Sequence, residues 1–114
     1  MPANAQVLPD PSFSVRTEED GDALVVRASG DLDLVAAERF GLELMWALTG
    51  DASAVFVDLS GVEFIDSTGL RALLEASKLS SQNGGKLRIG REVSPAAERL
   101  LEITGVGDTL PFDD

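Results

Sequence analysis

The alternation of hydrophobic and polar residues near the start of the chain predicts a pair of β-strands. From Phe13 to Thr17 apolar and polar residues alternate, and a second apolar run extends from Ala23 to Ala28. The dipeptide Asp20-Gly21 between the two runs is a typical turn signal. The chain is therefore expected to open with an antiparallel hairpin.

Beyond the hairpin, apolar residues recur at steps of three and four, the spacing of one face of a helix. The first such stripe comprises Ala37, Phe40, Leu44 and Leu48. It predicts a helix over Leu34–Leu48 that ends at Gly50. The next apolar run predicts a buried strand over Ala54–Asp58, ended by a turn at Ser60-Gly61.

Helical and extended patterns continue to alternate in the second half. A second helix begins near Asp66, with Gly84-Gly85 as its stop signal, and one of its faces comprises Leu70, Leu73, Leu74 and Ser77. A fourth strand is predicted over Lys86–Gly90. A third helix begins with Ser94 as its cap and Pro95 at its first position, and it ends at Gly105. A short strand near Thr109–Pro111 closes the predicted sheet.

This order of elements predicts an α/β fold. The expected sheet is mixed and four- to five-stranded, opens with the antiparallel hairpin, and carries about three helices. The proline-containing residues 1–12 are predicted to be a flexible N-terminal tail, and residues 13–114 to be one domain.

Composition excludes several classes of chemistry. The 114 residues include no cysteine and no histidine, which removes disulfides, most zinc sites and any Ser-His or Cys-His nucleophile. Nine basic against twenty acidic residues give a net charge of −11, which repels nucleic acid and anionic membranes. The chain has no apolar run of membrane-spanning length and no signal-peptide pattern. We therefore expect a cytoplasmic protein that performs no hydrolysis by a catalytic triad.

The start of the second helix presents a hydroxyl for modification. With Asp66 as the cap, Ile65 and Leu70 occupy the two positions of a hydrophobic staple, and Ser67 falls in the first turn. First-turn amides lack partners and lie at the positive end of the helix dipole, so a phosphate on Ser67 would be favoured there. The alternative is that Asp66, Ser67 and Thr68 act only as capping residues.

The segment from Val55 to Leu70 resembles the signature of the STAS family, the bacterial anti-sigma-factor antagonists and their relatives. In that signature a strand and a loop lead into Asp-Ser-(Ser/Thr)-Gly-Leu, here Asp66 to Leu70. Further segments look like family elements in family order: Gly30-Asp31-Leu32-Asp33, Asn83 to Leu87, and Ser94 to Gly105. The resemblance extends from Phe13 to Pro111. In many members a further helix follows the segment near Leu110, whereas this sequence stops at Asp114, so no partner surface is predicted near that end.

The resemblance implies a phosphorylation switch. The family serine that matches Ser67 is phosphorylated, with Thr68 as the second choice here. The implied partners are an anti-sigma factor with serine-kinase activity, which uses Mg-ATP on its own side, and a phosphatase that resets the switch. The resemblance therefore implies that this chain is not an enzyme and needs no cofactor or metal. Asp33 is expected to accept a hydrogen bond from the Ser67 hydroxyl or to cap the following helix. The predicted partner-binding residues are Asp33, Asp66, Ser67, Thr68, Gly69 and Arg71.

Several alternatives remain at this point. STAS domains also occur in scaffolds and transport assemblies that need no phosphorylation. Asp58 is a weak rival phosphate acceptor, and the helix starts at Asp66 and Ser94 raise the possibility of weak nucleotide binding. Gly69 inside a helix is expected either to let a kinase approach closely or to supply backbone freedom. Trp46 falls off the buried helical stripe and is expected to be partly exposed at a contact surface.

Overall fold

A computed structural model describes residues 12–113 of the chain. Four strands are present: β1 (Phe13–Asp20), β2 (Ala23–Leu32), β3 (Ala54–Ile65) and β4 (Leu87–Ile89). Three helices alternate with them: α1 (Leu34–Thr49), α2 (Ser67–Gln82) and α3 (Pro95–Thr104). The sheet order is β1-β2-β3-β4, with β1 antiparallel to β2 and the other neighbours parallel. The predicted mixed α/β fold with three helices is confirmed.

The core lies between one face of the sheet and the helices. The apolar face that the sequence predicts for α1 is buried along its whole length, and Phe40 at its middle is fully inaccessible. Its ring meets Phe13 of β1 edge-on, with 6.4 Å between the ring centroids. The opening hairpin turns at Gly21, whose φ of 64° lies in the left-handed region that glycine adopts readily.

The third strand is longer than predicted. Ser60-Gly61 does not end it; β3 continues to Ile65, and its register with β2 shifts twice, between Arg27 and Ser29 and between Gly30 and Asp31. A Cβ on Gly61 would lie 2.9 Å from the Cβ of Ser29. The pair predicted as a turn is therefore a bulge, where the glycine permits close approach of two paired strands.

The end of the chain also differs from expectation. The predicted fifth strand near Thr109–Pro111 is absent: Gly107–Thr109 forms a 3₁₀ turn, and only a single bridge joins Ile89 to Phe112. The sheet is therefore four-stranded. Residues 1–11, which make up nearly all of the predicted tail, lie outside the described residues. Across residues 12–113, no helix is both long and apolar enough to cross a membrane.

Candidate functional site

The start of α2 is organised by Asp66. Its backbone is extended, and its carboxylate Oδ1 accepts hydrogen bonds from the amide nitrogens of Thr68 at 2.9 Å and Gly69 at 3.3 Å. The hydroxyl of Thr68 donates to the same oxygen. That hydroxyl, with the two amides, holds the pKa of Asp66 below its usual value. Asp66 is therefore an ionised helix cap, as the sequence predicts.

The two candidate acceptor hydroxyls differ in their surroundings. Ser67 is exposed, and within residues 12–113 its hydroxyl makes no hydrogen bond. Thr68 is half-buried, and its hydroxyl is committed to Asp66. Phosphorylation of Thr68 would remove a hydrogen bond of the cap, whereas phosphorylation of Ser67 would disturb none. The local geometry thus favours the serine that the sequence pattern ranked first.

Gly69 is required by internal packing. A Cβ at this position would lie 2.8 Å from Cγ and 2.9 Å from the carbonyl oxygen of Leu32, and 3.0 Å from Cγ1 of Ile65. Its φ is not positive, so the explanation by backbone freedom is wrong. The first turn of α2 rests directly on the ends of β2 and β3, which only the tertiary structure reveals.

Asp33 caps α1. Its side chain accepts from the amide of Ala36 at 3.0 Å, and it makes no hydrogen bond to Ser67. The capping alternative is therefore the one observed. The junction between β2 and α1 is nevertheless adjacent to the junction between β3 and α2, because the amide of Asp66 lies 3.4 Å from the carbonyl oxygen of Leu32. Parallel pairing of β2 and β3 brings both helix starts to the same end of the sheet.

Exposed apolar side chains lie near this end of the sheet. Leu34 and Val35, directly after the α1 cap, are 69% and 73% exposed, and Phe64 near the end of β3 is 48% exposed. Sequence reasoning missed all three, although Leu34 and Val35 lie off the buried stripe of α1 and could have been found on that ground. Exposed apolar side chains next to the exposed hydroxyl of Ser67 suit a contact that added charge would weaken.

Arg71 follows Ser67 by one helical turn. It is exposed and forms no ion pair within residues 12–113, and it lines a groove between α1 and α2 together with Thr68 and Glu38. Residues four apart on a helix are neighbours, so its guanidinium can reach a group attached to Ser67.

Asp58 does not resemble a free phosphate acceptor. It lies within β3, accepts from the amide of Ser60 at 2.9 Å, and is bound by Arg27 at 2.7 Å. Partial burial opposes ionisation, but the hydrogen bonds from Ser60 and the ion pair with Arg27 outweigh it and lower the pKa of Asp58. Within residues 12–113 no group of three acidic side chains is arranged to hold a metal ion.

Comparison with known proteins identifies the family. The family model for the STAS domain matches residues 14–114. The chain belongs to the STAS domain family. Among similar proteins, the anti-sigma F factor antagonist of Paenibacillus polymyxa is 28% identical over 104 residues, covering 90% of this chain and 88% of that protein. The anti-sigma-B factor antagonist of Staphylococcus aureus is 29% identical, with 90% and 94% covered.

A solved structure agrees with this membership. The crystal structure of an anti-sigma factor antagonist from Mycobacterium paratuberculosis superposes on this STAS domain with a TM-score of 0.75. The two chains are 28% identical, and the match covers 92% of this chain and 89% of the other. The four-stranded mixed sheet and its three helices are therefore those of the family.

Proposed function

We propose that this STAS protein is a cytoplasmic anti-sigma-factor antagonist. It binds an anti-sigma factor that has serine-kinase activity, and phosphorylation of Ser67 switches it off, so that it regulates sigma-factor-dependent transcription. A phosphatase restores the active form. The observation that carries the proposal is the exposed, unbonded hydroxyl of Ser67 in the first turn of α2, beside an ionised cap. The names of the relatives support the general role.

Phosphorylation would act on binding and leave the fold intact. A phosphoserine carries nearly two negative charges, and the first-turn amides of α2 and Arg71 can accommodate them on this chain. The same charge would face a partner that packs on Leu34 and Phe64. Burying a new charge in an apolar contact typically costs several kcal/mol, so affinity should fall about 30-fold or more.

The experiment is a kinase and binding assay. The pure protein is incubated with Mg-ATP and the candidate kinases encoded beside its gene, and intact and peptide mass spectrometry count and locate the phosphates. One phosphate on Ser67 is expected. Ser67→Ala should bind the kinase without accepting phosphate, and Ser67→Glu should bind poorly.

Thr68→Ser supplies the matched control, because it retains the hydroxyl that donates to Asp66 and should be phosphorylated at Ser67 like the wild type. Equal phosphorylation of Ser67→Ala, or wild-type affinity of Ser67→Glu, would show that Ser67 is not the switch. The scaffold or transport-accessory role would then replace the present proposal.

A further inference from the structure

The outward face of α1 is unusually apolar. Among residues 12–113 seven large hydrophobic side chains are exposed, and five of them lie on this helix: Leu34, Val35, Leu42, Met45 and Trp46. The predicted exposure of Trp46 is confirmed at 65%. Several exposed apolar side chains on one helix of a small protein are typical of an interface.

The exposed residues follow a heptad spacing. Val35, Leu42 and Thr49 are seven residues apart, so at about 100° per residue they form one line along the exposed side of α1. We call this line and the side chains on its two flanks the α1 stripe.

The two flanks of the α1 stripe differ in character. Glu38 and Met45 lie on the flank that faces α2, where both line the groove between the helices. Arg39 and Trp46 lie on the opposite flank, and Trp46 borders the turn of the opening hairpin. Within residues 12–113 neither Glu38 nor Arg39 forms an ion pair.

We propose that the α1 stripe is an interface for a second copy of this chain, with the two α1 helices parallel about a two-fold axis that runs along them. This symmetry fixes the register of the two helices, because it places each residue of the central line at the same height as the identical residue of the second copy. Val35 packs on Val35 of the second copy, and Leu42 on Leu42 of the second copy.

Charge complementarity selects the parallel arrangement. In a parallel pair each flank meets the opposite flank, so Glu38 meets Arg39 of the second copy, and this pairing occurs twice. One heptad further along, the thioether of Met45 meets the ring of Trp46 from the second copy, a favourable contact. An antiparallel pair would instead bring each flank against the same flank, so Glu38 would meet Glu38 or Met45 of the second copy, according to where the two-fold axis crosses the helices, and would not meet Arg39.

The dimer is expected to be weak and reversible. The stripe spans only about two heptads, fewer than the three to four of an autonomous coiled coil. Each copy also carries a net charge of −11, so the copies repel at low ionic strength. Salt screens this long-range repulsion, and dimerisation should strengthen between about 0.03 and 0.3 M NaCl.

A charge swap tests the pairing. Sedimentation equilibrium of the full chain at 0.3 M NaCl should show a concentration-dependent dimer, with a blue shift of Trp46 emission as it forms. Glu38→Arg and Arg39→Glu should each weaken dimerisation about tenfold, because two favourable pairs become two repulsive ones. The double variant restores opposite charges and should return to within about threefold of the wild type. A wild type that stays monomeric at millimolar concentration would overturn the proposal.

Cysteine crosslinking tests the orientation, since the chain has no cysteine of its own. Val35→Cys and Thr49→Cys, made separately, should each form a disulfide with the same residue of the second copy. The two positions are about 21 Å apart along the helix, so an antiparallel pair can bring at most one of them together. Ser81→Cys, exposed at the far end of α2, is the control and should remain uncrosslinked. Failure of either stripe variant to crosslink above this control would refute the parallel dimer.

Discussion

Two serines lie at the starts of two helices in this protein, yet their surroundings suit opposite roles. Ser67 is the residue after the cap of α2 and is exposed, with its hydroxyl unbonded within residues 12–113. Ser94 is itself the cap of α3; it is only 5% exposed, and its hydroxyl accepts from the amide of Ala97 at 3.1 Å. A shift of one residue relative to the cap separates an exposed, unbonded hydroxyl from one that is buried and caps its helix.

The starts of α2 and α3 also differ in the residue at the third helical position. Gly69 in α2 and Ala97 in α3 both occupy it, and both are buried. α3 therefore has room for a methyl group where α2 has none, because α2 rests against Leu32 and Ile65. Of the two helix starts, that of α2 is the more tightly packed, and this packing holds the candidate switch residue Ser67 in a defined position.

The largest expected effect is that of Gly69→Ala. The added methyl group would overlap Leu32, including its backbone carbonyl, and we expect a loss of about 1–3 kcal/mol in the free energy of unfolding. Gly41→Ala in α1 is the matched control, because its Cβ would lie 3.9 Å from that of Ala72. It should stabilise the protein by about 0.5–1 kcal/mol. Urea unfolding measures both, and equal effects would contradict the packing explanation.

The two serines should respond differently to substitution. Ser94→Ala removes a buried cap and should cost about 1–2 kcal/mol of stability. Ser67→Ala removes a hydroxyl without a partner, and Ser67→Asp adds charge at the favourable end of the helix dipole. Both should remain within about 1 kcal/mol of the wild type. Thermal and urea unfolding measure the stability of these variants. A large loss of stability in Ser67→Asp would mean that the proposed switch acts on folding.

The smallest expected effect is a difference in pH dependence between the two caps. The pKa of Asp66 is lowered in the folded protein, first by the Thr68 hydroxyl. The stabilisation of the folded protein by the ionised Asp66 carboxylate is therefore complete above the unfolded pKa of about 4. It is lost as the pH falls through the lower pKa that Asp66 has in the folded protein. The stability advantage of the wild type over Asp66→Asn, about 0.3–1 kcal/mol at pH 7, should shrink in that window.

The cap at Ser94 carries no ionisable group and supplies the control. The cost of Ser94→Ala should stay constant from pH 7 to about pH 3, because no proton is bound or released at that cap. Urea titrations at several pH values provide the measurement. A pH-independent difference between the wild type and Asp66→Asn would show that Asp66 does not cap α2 as a carboxylate.

Local sequence patterns predicted much of the fold and of the site. The buried stripe of α1, the caps at Asp66 and Ser94 and the hairpin turn were predicted correctly, because each depends on neighbours a few residues away. The end of β3 was predicted wrongly, since Ser60-Gly61 has the composition of a turn and forms a bulge only because β2 pairs beside it.

The sequence by itself determined the family, the helix starts and the position of Ser67 after its cap, since capping chemistry and helical periodicity act over a few residues. The bond from the Thr68 hydroxyl to Asp66, only two residues away, is part of the same local cap, whereas only the tertiary structure decided that Gly69 is held against Leu32. It also placed Leu34, Val35 and Phe64 near one end of the sheet. The packing of Gly69 and the placement of these side chains depend on the pairing of β2 with β3, whose partner residues are more than thirty positions apart, and no local pattern encodes that pairing.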